Sequence, residues 1–153
     1  MSIVSTCRVC KSRALDKIIN LGNQPLSGVF PQDSNELISS GDLQLMRCSE
    51  CGLVQLGSSF PSEEMYGENY GYRSGLNSMM VNHLERIAKG LTRKIDFKDH
   101  DVICDIGSND GTFLKNFNKN NYQHCGFEPS KNVADFSKKY GIKVINNFFS
   151  YKN

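Results

Sequence analysis

Apolar residues recur at Leu76, Met80, Leu84, Ile87, Ala88, Leu91 and Ile95, close to the three-and-four spacing of a helix face, and predict a helix of about five turns. His83 stands beside that stripe and reads as a partly exposed surface residue. The pattern then changes. Val102 to Ile106 reads as a strand, Gly107 to Gly111 as a glycine loop, and the stretch with Phe113, Leu114 and Phe117 as a helix. A second strand is expected over Tyr122–Phe127, a helix with Val133, Ala134, Phe136 and Tyr140 next, and a third strand at Ile142–Ile145. The order β-α-β-α-β is half of a doubly wound, Rossmann-like sheet. Upstream the pattern is different: Leu15, Ile18, Ile19 and Leu21 form a short apolar run ending at a turn signal, Gly22-Asn23-Gln24-Pro25. Leu43, Leu45 and Leu53-Val54-Gln55-Leu56 near-alternate, as short antiparallel strands do.

The cysteines sharpen this picture. Cys7 and Cys10 are separated by two residues, as are Cys48 and Cys51, with 37 residues between the pairs. A two-residue spacer lets a tight turn aim both thiolates at one point, so two such turns supply the four soft ligands of a tetrahedral zinc site. Disulfides or four ordinary thiols are the alternatives, and the absence of a secretion signal in Met1-Ser2-Ile3-Val4-Ser5-Thr6 weighs against the first. Four thiolates leave no open position, which makes the metal structural. Cys104 and Cys125 sit within strand-like runs and read as small core residues. The fold class expected is therefore α/β: a zinc ribbon over 1–58, a Tyr/Gly-rich linker and helix over 59–98, and a partial Rossmann-like domain over 99–153.

Composition adds exclusions. With 153 residues, 39% of them hydrophobic and 22% charged, the chain is able to bury a core. Eighteen basic residues against sixteen acidic ones leave a net charge of +2, and within 1–60 Arg8, Lys11, Arg13, Lys17 and Arg47 are balanced by Asp16, Asp33, Glu36, Asp42 and Glu50. No basic field is present to track nucleic acid. No apolar run approaches the roughly 20 residues that span a bilayer, so no membrane partner is expected and a soluble, cytoplasmic protein is.

In half-sheets of this type the first loop lets a ligand approach the backbone, and an acid ending the second strand accepts hydrogen bonds from ribose hydroxyls. Glu128 occupies that place, followed by Pro129. The loop Gly107-Ser108-Asn109-Asp110-Gly111 lacks the glycine pattern of a dinucleotide site. Asp105 and Asp110 flank it and would repel a phosphate but attract a sulfonium and an ammonium, which favours S-adenosylmethionine over NAD. A sheet that binds nothing is the bland alternative. Tyr66, Tyr70 and Tyr72, set among Gly67, Asn69, Gly71 and Gly75, either pack or line a pocket with their hydroxyls.

Six blocks stand in one order: Cys7-Arg8-Val9-Cys10; Leu21 to Ser27; Cys48 to Leu56; Tyr70-Gly71-Tyr72-Arg73-Ser74; Asp105 to Gly111; and Gly126-Phe127-Glu128-Pro129-Ser130. Together they resemble the amino-terminal part of the zinc-containing, S-adenosylmethionine-dependent sugar C-methyltransferases. The resemblance implies zinc on Cys7, Cys10, Cys48 and Cys51, and cofactor contacts from Asp105, Gly107, Ser108, Asn109, Asp110, Gly111, Glu128 and Pro129. It implies a catalytic place for Tyr72 and, more weakly, Tyr70. The implied substrate is a nucleotide-linked deoxy-keto-sugar: a base takes the proton beside the keto group and the enolate attacks the cofactor methyl. That base would lie beyond residue 153. The chain reads as truncated, a fragment or one half of a split enzyme whose partner is a separate chain carrying the rest. A non-catalytic zinc-binding interaction module is the competing reading.

Overall fold

A computed structural model describes residues 1–68, 70–98, 100–120 and 122–152, without the side chains of residues 119 and 120. Asn69, expected within the tyrosine-rich loop, lies outside the described residues. The chain divides into two compact units, Met1–Met65 and Tyr66–Asn153.

In the first unit, β2 (Leu15–Pro25), β3 (Ser40–Cys48) and β4 (Val54–Leu56) form an antiparallel sheet in that order. A two-stranded ladder pairs β1 (Ser2–Ile3) with β5 (Ser58–Ser59), and a single helical turn, α1, follows at Ser62–Met65. The expected turn at Gly22–Pro25 is strand instead. Antiparallel pairing with β3 carries β2 through to Pro25, with register shifts between Lys17 and Ile19 and between Asn20 and Asn23 absorbing the irregular sequence. β2 is an edge strand, where a proline removes no ladder bond that a neighbour needs. Ile18, Ile19 and Leu21 are about half exposed, and among the described residues the buried hydrophobic positions of this unit are Cys7 and Cys48. The sheet has almost no oil to hold it.

The second unit is built on three parallel strands, β6 (Val102–Ile106), β7 (Gln123–Phe127) and β8 (Lys143–Ile145), in the order β6-β7-β8. Ahead of them runs α2 (Ser78–Lys94), started by Asn77, whose side-chain oxygen accepts from the N–H groups of Met79 and Met80. The crossovers expected as α-helices are tighter: a 3-10 helix at Leu114–Asn120, and a short α3 (Lys131–Ala134) running into a 3-10 helix at Asp135–Tyr140 that ends on left-handed Gly141. Ala88 of α2, Leu114, Phe117 and Ile142 form the core, with Leu91, Ile103, Phe113 and Val144 against it. His83 is exposed, as expected.

That core covers one face of the sheet. Parallel sheets ordinarily bury both, yet on the other face Val102 is 54% and Ile106 61% exposed, and β6 has no partner on its outer edge among the described residues. Cys104 shares this face and is exposed, so it is not the core residue its strand-like context implied; Cys125, its register partner, is half-buried. No helix among the described residues is long and apolar enough to cross a membrane.

Candidate functional site

In the first unit two knuckles converge. Lys11 donates its N–H to the Cys7 carbonyl at 3.0 Å, and Gly52 repeats the contact with Cys48 at 2.9 Å; Cys7 and Cys48 in turn donate to Ser12 and Leu53. Each knuckle therefore ends on a residue in the left-handed region, φ +64° at Lys11 and +77° at Gly52. Glycine takes that conformation freely and lysine does not. Gln55, buried on β4, ties the first knuckle down by accepting the Arg8 N–H at 2.9 Å and donating to the Thr6 carbonyl at 3.2 Å.

The four Sγ atoms of Cys7, Cys10, Cys48 and Cys51 lie within 4.8 Å of one another. Cys7 is 3.5 Å from Cys51, and Cys10 is 3.6 Å from Cys48. A tetrahedron with zinc–sulfur bonds of about 2.3 Å has edges of about 3.8 Å, so the donor set fits a tetrathiolate zinc centre. Its electrostatics ask for a cation. Burial raises the Cys7 thiol, but N–H groups of Cys10 and Val9 more than compensate and hold it at about 6. At Cys10 a hydrogen bond from Ser12 is outweighed by burial and by the thiols of Cys48, Cys7 and Cys51, which push it up to about 12. Four thiolates cannot ionise side by side without a metal to neutralise them. Two donors, Cys7 and Cys48, are buried and two are exposed, and four thiolates leave no coordination position for a substrate, the pattern of a structural site.

In the second unit a cavity of about 380 Å³ opens at the C-terminal ends of β6 and β7. Ile106, Phe127, Phe148 and Phe149 give it apolar walls, Gly107 and Asn109 form one rim, Glu128 and Pro129 another, and Tyr66, Tyr70, Tyr72 and Ser74 close it from the linker. A volume of this order suits a nucleoside-sized ligand. A second hollow of about 240 Å³, lined by Asp105, Ser108, Phe113, Leu84 and Ile87, shares Ser74, Gly107 and Asn109 with the first.

Glu128 is 4% exposed and held from two sides: Oε2 accepts the Asn109 N–H at 3.0 Å and Oε1 the Ser130 N–H at 2.9 Å. Each oxygen retains a second lone pair for a ligand hydroxyl. The N–H groups of Gly107 and Ser108 both bond the Phe127 carbonyl, which locks the glycine loop to β7. Burial, and then the charge of Glu128, raises Asp105 to about 6. Burial also raises Tyr70, helped by Tyr66, Glu128 and Tyr72, which keeps its hydroxyl protonated as a donor.

Of the residues expected around a cofactor, Gly107, Asn109, Glu128 and Pro129 line the larger cavity, and Asp105 and Ser108 the smaller. Asp110 and Gly111 are on neither lining. Asp110 is 2% exposed and its carboxylate is spent inside the protein, accepting from Thr112 Oγ1 at 2.6 Å and from the Gly75 N–H at 2.9 Å, with Arg73 Nε at 3.9 Å. The negative face toward the hollows thus comes from Asp105 and Glu128. Sequence reasoning gave no role to Arg73, whose guanidinium lies 3.4 Å above the Phe136 ring, to Thr112, which braces Asp110 within its own loop, or to Ser130 and Asn132, which donate to the Tyr66 and Tyr70 carbonyls of the linker. The triplet Asp110-Gly111-Thr112, with a small hydroxyl two residues after an acid, was the available signal for the bond between Thr112 and Asp110.

Comparison with known proteins bears on the first of these sites and on the chain as a whole. A family model described as "Putative zinc binding domain" matches residues 7–66, the stretch that contains all four convergent cysteines. C-methyltransferase NovU of Streptomyces niveus is 23% identical over 146 residues, which cover 93% of this chain and 34% of that protein. The chain spans about a third of the length of the curated relative it matches. The resemblance carried by the six sequence blocks is borne out: the chain is similar to a zinc-binding domain over residues 7–66 and, over most of its length, to about a third of a C-methyltransferase.

Proposed function

We propose that the second unit binds S-adenosylmethionine and that the chain is the zinc-binding and cofactor-binding part of a C-methyltransferase. The observation that carries this reading is the buried Glu128 carboxylate, held by two backbone N–H groups at the end of β7 on the wall of a nucleoside-sized cavity. Its free lone pairs suit a ribose diol. The phenylalanine walls suit a purine, and Asp105 attracts a cationic amino-acid end. A ribose acid is common to NAD sites as well, but a pyrophosphate beside Asp105 would be repelled, and the loop lacks the glycine pattern that cradles one, which favours S-adenosylmethionine over NAD.

Bound S-adenosylmethionine supplies an electrophilic methyl group on a sulfonium. The residues of this chain bind and orient: Glu128 fixes the nucleoside, Asp105 neutralises positive charge, and Tyr70 and Tyr72 stand on the linker side of the cavity, where an acceptor would approach. By resemblance the acceptor is a carbon beside the keto group of a nucleotide-linked deoxy-sugar, and the base that removes its proton is supplied from outside residues 1–153. Tyr70, held protonated, serves as a hydrogen-bond donor rather than that base.

Calorimetry with S-adenosylhomocysteine, which does not turn over, tests the reading on the zinc-loaded chain. One saturable site per chain is expected, weakened tenfold or more by Glu128→Gln, which leaves one of the two backbone donors facing an amide N–H (a loss of about 1.4 kcal/mol or more). No heat from a chain shown to be folded by circular dichroism would leave a zinc-binding interaction module as the better description.

A further inference from the structure

Asn109 makes more contacts than a cofactor-binding loop residue needs. It sits in the left-handed region at φ +50° and is buried. Its N–H is donated to Glu128 Oε2, its side-chain oxygen accepts the Ser74 N–H at 2.8 Å, and its side-chain amide donates to the Tyr72 carbonyl at 3.0 Å. Both ends of one amide therefore grip the backbone on either side of Arg73. The next residue extends the grip, since Asp110 accepts the Gly75 N–H and pairs with Arg73. At the other end of the segment Asn132 donates to the Tyr70 carbonyl at 2.8 Å. Residues 70–75 form a strap that carries two tyrosine rings to the cavity, and Asn109 fastens it at two points, Tyr72 and Ser74, between the contacts of Asn132 and Asp110.

We propose that Asn109 is a positioning residue: it seats the 70–75 strap, and with it Tyr70 and Tyr72, in fixed relation to the Glu128 carboxylate. The side chain that the loop motif assigned to the cofactor instead organises the acceptor side of the site. The proposal rests on the cofactor reading only for the meaning of the two sides, because the strap is fastened by the protein's own side chains. A ligand hydroxyl that draws on Glu128 acts on the same residue that holds Tyr72, so occupancy of one side is felt by the other.

The chain has six tyrosines and no tryptophan, so ring carbon-13 labelling of tyrosine gives six signals to follow by nuclear magnetic resonance. The variant is Asn109→Gly, which accepts a positive φ, keeps the N–H bond to Glu128 and removes only the amide grip. The ring signals of Tyr70 and Tyr72 should move in the absence of any ligand, while those of Tyr122, Tyr140 and Tyr151 stay. The response of the Tyr72 ring to S-adenosylhomocysteine should disappear. Unmoved Tyr70 and Tyr72 signals would overturn the proposal. If all six signals collapse, Asn109→Asp decides: it keeps the acceptor for Ser74 and loses the donor to Tyr72, so a stationary Tyr72 signal rejects the idea. Absence of binding in the unsubstituted chain would remove the cofactor reading and leave the ligand-free shifts to judge the strap.

Discussion

Asp105 should give up its proton when a cation settles beside it. Burial and the neighbouring Glu128 raise it to about 6, so it is about half ionised at pH 6, about a tenth ionised at pH 5 and about nine tenths at pH 7. A ligand with a positive amino-acid end binds the ionised form. Its affinity should therefore rise about tenfold from pH 5 to pH 7 and level off above. At pH 6 binding should release about half a proton per ligand, visible in calorimetry as a heat that depends on the ionisation enthalpy of the buffer. The ligand's own α-carboxyl and α-amino groups titrate outside this window. Asp105→Asn should flatten the profile, and Glu128→Gln should move its midpoint to lower pH, because the repulsion that helps raise Asp105 is gone. Without ligand the sign is opposite. The folded protein holds this proton more tightly than the unfolded chain, so the stabilisation is complete below about pH 4 and is lost as pH rises through about 6. The shift would correspond to about 3 kcal/mol at full strength, and to about 1–2 kcal/mol once screening at this partly open carboxyl is allowed for. A pH-independent affinity with no buffer-dependent heat would refute the placement of a cation at Asp105.

Three further outcomes follow from the geometry. Chelating zinc should abolish the β-sheet signal of the first unit in circular dichroism and expose four additional thiols to a thiol reagent, because its buried hydrophobic positions are the ligands Cys7 and Cys48 themselves; the zinc supplies most of the folding free energy, of the order of 10 kcal/mol. Gly52→Ala should lower stability by about 1–2 kcal/mol, while the matching Lys11→Gly should be neutral or stabilising by up to about 1 kcal/mol, as read from thermal melts of the zinc-loaded chain. Gly126→Ala should cost about 1–3 kcal/mol and abolish S-adenosylhomocysteine binding, since its new methyl would collide with the Ser108 side chain and push the glycine loop off β7.

The zinc centre was legible in the sequence because two short-range spacings carry it, and each knuckle is built by contacts four residues apart. The parallel half-sheet was legible for a similar reason: apolar runs separated by a glycine loop leave few topologies. What escaped was decided by contacts between distant segments. β2 runs through Gly22–Pro25 because β3 pairs with it, a fact that turn chemistry does not register. Asp110 turns inward because Gly75 and Arg73, some 35 residues earlier, present donors there. Cys104 is exposed because nothing among the described residues covers its face, and an apolar strand does not by itself say whether both of its faces are occupied.

The edge of β6 that has no partner among the described residues has a direction as well as a position. In a parallel sheet every strand delivers the chain that follows it to the same end, and here that end holds Gly107, Asn109 and Glu128. A strand joining β6 in the same sense would discharge its succeeding residues at the mouth of the cavity, beside the tyrosines. One joining in the opposite sense would carry them to the far side, away from any ligand. The orientation of that one added strand therefore decides whether whatever follows it can reach the chemistry.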